Sequence, residues 1–169
     1  SVYTTVLDGI RARLPQDAEV TYRTGCAIAE NFENFESVPS GAFLPPEGWN
    51  GRLKLEQFAG ETISGEPVAA SDEPFVGFQY HRYRWPRVPQ LEGQVYSARF
   101  SGRLQAPLSG RYGLRLSSGQ KFALNLDGAT LMQCDSASGG DQTVQLDFEA
   151  GSVHDLRVDL IGARGDATV

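Results

Sequence analysis

The 169-residue chain holds two cysteines, one methionine and two histidines, and each scarcity excludes a class of protein. Cys26 and Cys134 are too few for the disulfide framework of a small secreted domain. They also lack the Cys-x-x-Cys or Cys/His spacing of a zinc site, so they read as two unpaired thiols. No apolar run approaches the roughly 20 residues that a membrane-spanning helix needs, so no membrane partner is expected. Cationic residues are outnumbered, 15 Lys and Arg against 21 Asp and Glu, which leaves a net charge of −6 and a pI near 4.9. Nucleic-acid binding is dominated by Lys and Arg neutralising phosphates, so nucleic acid is not expected as a partner, whereas neutral ligands such as sugars remain open. A chain of this length can bury roughly two-thirds of its unfolded surface, enough for one ordinary domain with its own core.

What is present in abundance is alternation. From Tyr96 to Ala106 the even positions are apolar or small (Tyr96, Ala98, Phe100, Gly102, Leu104, Ala106), while the odd ones read Ser97, Arg99, Ser101, Arg103 and Gln105. Period two predicts a strand with one wet face. Pro107-Leu108-Ser109-Gly110 supplies a turn, and the pattern resumes at Tyr112, Leu114 and Leu116 against Arg111, Gly113 and Arg115, so the two runs are expected to pair as a hairpin. A one-residue slip would push Arg99, Arg103, Arg111 and Arg115 inward together, so burial specifies the register. A third run, Phe122, Leu124 and Leu126, ends on Asp127-Gly128, a type I′ hairpin signal.

Taken in order, the chain opens with Thr5 to Leu14, read as a helix with Val6, Leu7, Ile10 and Leu14 on its apolar face and ended by Pro15. Glu19 to Arg23 reads as a strand. One short helix and one strand have no second layer to bury against, so residues 1–26 look cut from an α/β domain. Residues 27–51, with Pro39, Gly41, Pro45, Pro46 and Gly48, are expected as a linker. Glu30, Glu33 and Glu36 in that stretch read as a solvated acidic face beside Phe32 and Phe35. Leu53 to Phe58 is an alternating run, and the Gly/Glu/Pro/Ser-rich segment to Pro74 is expected as a loop. Phe75 to Trp85 is the densest aromatic stretch; aromatics with polar tips suit stacking on sugar rings, but the favoured reading is the ragged first strand of a sandwich. Ala129 to Cys134 reads as a short strand, 135–141 as a loop, and Val144 to Phe148 and Leu156 to Leu160 as strands. His154 shares parity with Leu156 and reads as a half-buried structural histidine. Seven or so strands at spacings of about 8 to 12 residues predict residues 52–169 as an all-β, antiparallel β-sandwich, with Tyr96, Phe100, Leu104, Tyr112, Leu114, Phe122, Leu124, Leu146 and Val158 inward.

Several strings within this sandwich carry a family likeness: Arg52-Leu-Lys-Leu-Glu-Gln-Phe58, Tyr96-Ser-Ala-Arg-Phe-Ser-Gly-Arg-Leu104, Pro107-Leu-Ser-Gly-Arg-Tyr112 and Leu126-Asp-Gly128. Over about residues 49–169 the chain resembles the PA14, or protective-antigen-type, module, with Arg52 and Gln57 standing where the family motif has Gly and Tyr. The leading Thr5 to Leu14 and Val20 to Cys26 resemble the stretch of family-three glycoside hydrolases in which the α/β-sandwich domain precedes an inserted PA14 module. The resemblance implies a retaining, β-glucosidase-like parent, secreted or periplasmic, whose catalytic residues lie on other parts of its chain. It also implies the parent catalytic domains and an oligosaccharide or β-glucoside as partners, with Tyr80, His81, Tyr83, Trp85, Asp135 and Ser136 as candidate substrate contacts. An independent sugar-binding or adhesion module and a homo-oligomerisation surface are the competing readings. Some members hold sugar through calcium on consecutive aspartates; Ser118-Gly119-Gln120 stands at that place here, so no metal and no cofactor are expected. No carboxyl pair stands out as the acid and nucleophile that a retaining glycosidase requires.

Overall fold

The computed structural model describes residues 12–15, 18, 38–77 and 88–163. The chain divides into two compact units, Ser1–Asn34 and Phe35–Val169. Of the first unit only the turn around Pro15 is described. Ala12 and Arg13 are in a turn rather than the last turn of a helix, Leu14 is 41% exposed, and the Ala18 N–H donates to the Pro15 carbonyl at 3.1 Å. The rest of the expected helix and strand in residues 1–26 lies outside the described residues.

The second unit is all-β among its described residues, with antiparallel sheets and two single-turn 3₁₀ segments, Ser40–Ala42 and Pro89–Leu91. Its nine strands are β1 (Phe43–Leu44), β2 (Leu53–Ala59), β3 (Ala69–Glu73), β4 (Tyr96–Gln105), β5 (Gly110–Ser118), β6 (Lys121–Leu126), β7 (Ala129–Cys134), β8 (Gly140–Phe148) and β9 (Val153–Ala163). Seven form one sheet in the order β3-β2-β4-β9-β6-β7, with β1 pairing the far end of β4; β5 and β8 form a second, two-stranded sheet.

The strand β4 sits at the centre of the large sheet because its alternation is the cleanest in the chain. Tyr96, Ala98 and Phe100 are fully buried and Leu104 is 8% exposed, whereas Arg99, Ser101 and Arg103 are half-buried on the opposite face. Ser97 breaks the pattern: it is also fully buried. A bulge between Tyr96 and Ala98 lets its hydroxyl donate to the Gly60 carbonyl (2.9 Å) and accept from the Gly162 N–H (3.2 Å), so the Ser97 hydroxyl is paired despite its burial.

The expected hairpin between the β4 and β5 runs does not form. Pro107 has no N–H to continue the ladder, and the end of β4 instead joins the β8–β9 corner: Ala106 N–H donates to Ser152 O (3.0 Å) and Gly151 N–H to Ala106 O (2.8 Å). The chain then crosses to the other sheet. Tyr112 locks this crossover, its hydroxyl donating to Leu108 O at 2.8 Å and accepting from Leu108 N–H at 3.3 Å. In the two-stranded sheet Tyr112 opposes Leu146 and Leu114 opposes Val144. Of the nine residues expected inward, Tyr96, Phe100, Leu104, Phe122, Leu124 and Val158 are buried, but Tyr112, Leu114 and Leu146 are only half-buried, since a two-stranded ribbon cannot cover its own face.

Two further segments read as irregular are strands. Ala69–Glu73 pairs with β2 as the edge of the large sheet, although Ala, Ser, Asp and Glu are poor strand formers, because backbone pairing at an edge demands little of its side chains. Phe43–Leu44, within residues 27–51, adds to β4 and buries Phe43 to 5% exposure. The Asp127-Gly128 turn between β6 and β7 has φ of 50° and 81°, as a type I′ turn requires, and Asp127 is the one non-glycine with positive φ among the described residues.

Candidate functional site

At one end of the sandwich the β5–β6 turn (Ser118, Gly119, Gln120) packs against the β7–β8 connection (residues 135–139). The two backbones touch at Gly139, with φ +74°, where an added Cβ would overlap the Ser118 carbonyl oxygen and the Gln120 nitrogen. Glycine is therefore required twice over, by conformation and by space. The connection closes as a turn, Gly139 N–H to Ser136 O at 2.9 Å, with the Ser136 and Ser138 hydroxyls 2.9 Å apart. Behind it, the Gln142 amide makes both bonds to the backbone of β7: it accepts from Gln133 N–H (3.1 Å) and donates to Gln133 O (2.6 Å). A side chain thus occupies the edge of the large sheet and ties the small sheet to it. The Gln133 amide donates to both oxygens of Asp135 (3.0 and 3.1 Å).

One pair of opposite charges lies at this end. Arg115 on β5 pairs with Asp141 on β8, its Nε donating to Oδ1 at 2.8 Å, and that hydrogen bond holds the Asp141 carboxyl below its ordinary value. What points outward at the tip are the hydroxyls of Ser136 and Ser138 and the oxygens of Asp135, all on exposed residues. Beneath them Gln120 is 5% exposed, and its Nε2 has no hydrogen-bond partner among the described residues. The arrangement can exchange hydrogen bonds with a polyhydroxylated ligand. Calcium takes six to eight oxygens with carboxylates among them; Ser118-Gly119-Gln120 supplies no carboxylate, and no group of three or more metal-ligating side chains is found among the described residues.

Of the candidate contacts named from sequence, Asp135 and Ser136 lie together on this tip; Tyr80, His81, Tyr83 and Trp85 lie outside the described residues. Sequence reasoning did not single out Gln142; Ser138 lies in the 135–141 loop and Gln120 in the Ser118-Gly119-Gln120 string that it did. The Gly139-Gly140 pair was the one local signal that a tight backbone approach occurs here.

A second polar constellation occupies the opposite end, where His154 at the start of β9 bridges two connections. Its Nδ1 lies 2.7 Å from Asp127 Oδ2 and its Nε2 lies 2.9 Å from Ser152 Oγ. Asp127 Oδ1 accepts the Asp155 N–H at 2.8 Å. The imidazole rests on the Phe148 ring with centroids 4.5 Å apart, and Phe148 in turn meets Tyr112 at 5.5 Å. The hydrogen bond from His154, followed by that from the Asp155 backbone, holds the Asp127 carboxyl below its usual range against a desolvation penalty. The expectation of a half-buried histidine fits this position, with a side chain 21% exposed.

The architecture is an antiparallel all-β sandwich, and the comparisons assign it. Residues 53–169 match the family model of the PA14 domain, so the chain belongs to the PA14 domain family. No curated protein matches the sequence. Among solved structures, the chain is similar in fold to the β-glucosidase from Kluyveromyces marxianus in complex with glucose, with a TM-score of 0.60 and 13% identity over 79% of this chain and 18% of that one. It is also similar to the GH31 α-xylosidase from Xanthomonas citri (TM-score 0.61, 16% identity, 75% of this chain and 14% of that one). A third neighbour is the epithelial adhesin 9 A domain from Candida glabrata, in complex with Galβ1-3GlcNAc (TM-score 0.51, 11% identity, 79% of this chain and 85% of that one). The chain spans less than a fifth of the length of either glycosidase.

Proposed function

We propose that this PA14 domain is an accessory, carbohydrate-interacting part of a retaining β-glucosidase, secreted or periplasmic, and that it shapes which chain lengths reach the active site. The observation that carries the reading is the tip at residues 135–139. Its backbone is pinned by Gly139 against Ser118 and by the Gln142 bridge, so Asp135, Ser136 and Ser138 are offered from a braced support. Preorganised polar groups gain from hydroxyl contacts that a floppy loop would lose to ordering entropy. The fold recurs inside two glycosidases and in an adhesin bound to a galactosyl disaccharide, which is consistent with both sugar and an enzymatic parent. Residues 1–26 are then a fragment of the parent's α/β-sandwich domain, and the reaction belongs to its other domains.

The test uses the full-length gene product. Replacing Ser136 and Ser138 by Ala together, or shortening 135–139, is expected to change the ratio of kcat/KM for longer glucosides to that for disaccharide by about tenfold, the equivalent of ~1.4 kcal/mol. Activity on a small aryl glucoside should stay within a few-fold. Equal losses on every substrate, or no change on any, would refute the selectivity role. The adhesin favours a second reading, an independent carbohydrate-binding module, because there the fold makes up 85% of the chain. Saturable binding of an oligosaccharide to the isolated product of a gene without hydrolase domains would decide for it. An unaltered sugar response with a change of mass in solution on deleting the domain would instead mark an oligomerisation surface.

A further inference from the structure

We propose that Ser152 is a reactive serine, a site of stoichiometric acylation or phosphonylation by activated esters and fluorophosphonates, with His154 as the group that takes its proton. The inference concerns the opposite end of the sandwich and does not depend on any sugar contact. Asp127 is ionised and can only accept, and its two oxygens receive the Asp155 N–H at 2.8 Å and the His154 ring at 2.7 Å. The proton of the neutral imidazole therefore sits on Nδ1. Nε2 is left with a lone pair 2.9 Å from Ser152 Oγ, so the serine hydroxyl donates to it. That is the nucleophile, proton acceptor and orienting carboxylate arrangement that raises the reactivity of a hydroxyl. Phe148 at the end of β8 fixes the ring from one face and the Asp127-Gly128 turn fixes the carboxylate, so the geometry is held by two connections and a strand rather than by one loop.

The same neighbourhood sets the limit of the chemistry. The Ala150, Gly151 and Ser152 N–H groups are all spent, on Ser109 Oγ (2.8 Å), Ala106 O (2.8 Å) and Glu149 O (3.0 Å). None of these three remains to stabilise a developing oxyanion, a contribution that is often the largest in acyl transfer. Ser152 is thus a site of covalent capture, not of turnover. With a fluorophosphonate, the Oγ–P bond forms as the P–F bond breaks. Fluoride leaves with the electron pair, and the serine proton passes to His154 Nε2 and from there to water.

The experiment treats the full chain with an alkyl fluorophosphonate and maps adducts by peptide mass spectrometry. Ser152 should carry the main adduct, well ahead of the exposed Ser136 and Ser138, a ratio that needs no variant. His154→Gln should slow labelling by about 100-fold or more, and Asp127→Asn by a smaller factor, with thermal unfolding of each variant showing it folded. Adducts spread equally over the serines, or labelling of folded His154→Gln at the parent rate, would overturn the proposal and leave the three residues as a structural clasp.

Discussion

The two sheets of this domain obey the same alternation yet bury their inner faces to different depths. In the seven-stranded sheet, Leu53, Leu55, Tyr96, Ala98, Phe100 and Leu160 are fully buried, because each strand has neighbours on both sides and a second layer above. In the β5–β8 ribbon only Leu116 joins the core, at 7% exposure, whereas Leu114, Val144, Leu146 and Phe148 pack against it and stay half-buried, as does Tyr112. Their charges differ likewise. Arg99 and Asp159 on the large sheet form a bidentate pair (2.7 and 2.9 Å) with Asp159 8% exposed, while Arg111 and Asp147 on the ribbon sit at 3.2 Å with side chains 69% and 72% exposed. The pairs look alike in sequence; burial decides which one matters to stability.

The largest effect that would break this contrast is in the core. Phe100→Ala is expected to destabilise by about 3 to 5 kcal/mol and Leu114→Ala by about 1 to 2, measured by urea unfolding. Equal values would mean that the ribbon is as central as the large sheet. Next comes the joint between the sheets, where Gly139→Ala forces both a positive φ and an overlap with Ser118; a loss of about 2 kcal/mol is expected. A neutral outcome would show that the β7–β8 connection is not pinned.

Asp159→Ala is expected to lower stability by about 2 kcal/mol, less than a fully buried pair would because the Arg99 side chain is 28% exposed. Asp147→Ala should be nearly silent, within the range of about 0 to 1 kcal/mol for exposed pairs. If the order reversed in matched unfolding curves, the assignment of inner and outer charge would fail.

The smallest effect concerns pH. Asp127 is held below its ordinary value in the fold, first by the His154 hydrogen bond and then by the Asp155 N–H. Its contribution is therefore fully present above the unfolded carboxylate pKa of about 3.9 and is lost as pH falls through the lower folded value. Comparing the Tm of the parent and Asp127→Asn from neutral pH down to about 2.5 should show a modest gap that closes below about pH 4. A gap that stayed constant would remove the carboxylate from the account.

What was legible in the sequence was whatever periodicity alone imposes. The faces of β4, β6 and β9 follow from period two, with a slip of one residue in β4 turning Arg99 and Arg103 inward, and the Asp127-Gly128 turn follows from its demand for two positive φ values. The half-buried position of His154 came from the same parity argument. Strand partners were another matter. The β4 and β5 runs read as a hairpin, and only the fold shows the chain leaving one sheet for the other after Pro107, since proline marks an end of pairing without naming the next partner. Ala69–Glu73 is a strand because β2 offers it an edge, a tertiary cause with no local trace. Both polar ends likewise owe their partners to tertiary structure: Gly139 meets Ser118 across 21 positions, with the Gly139-Gly140 pair as its one local sign, and Asp127 reaches His154 across 27, while Ser152 is a local partner two residues away. Alternation tells each side chain which face to take; only the packing of the sheets decides which distant residues share it.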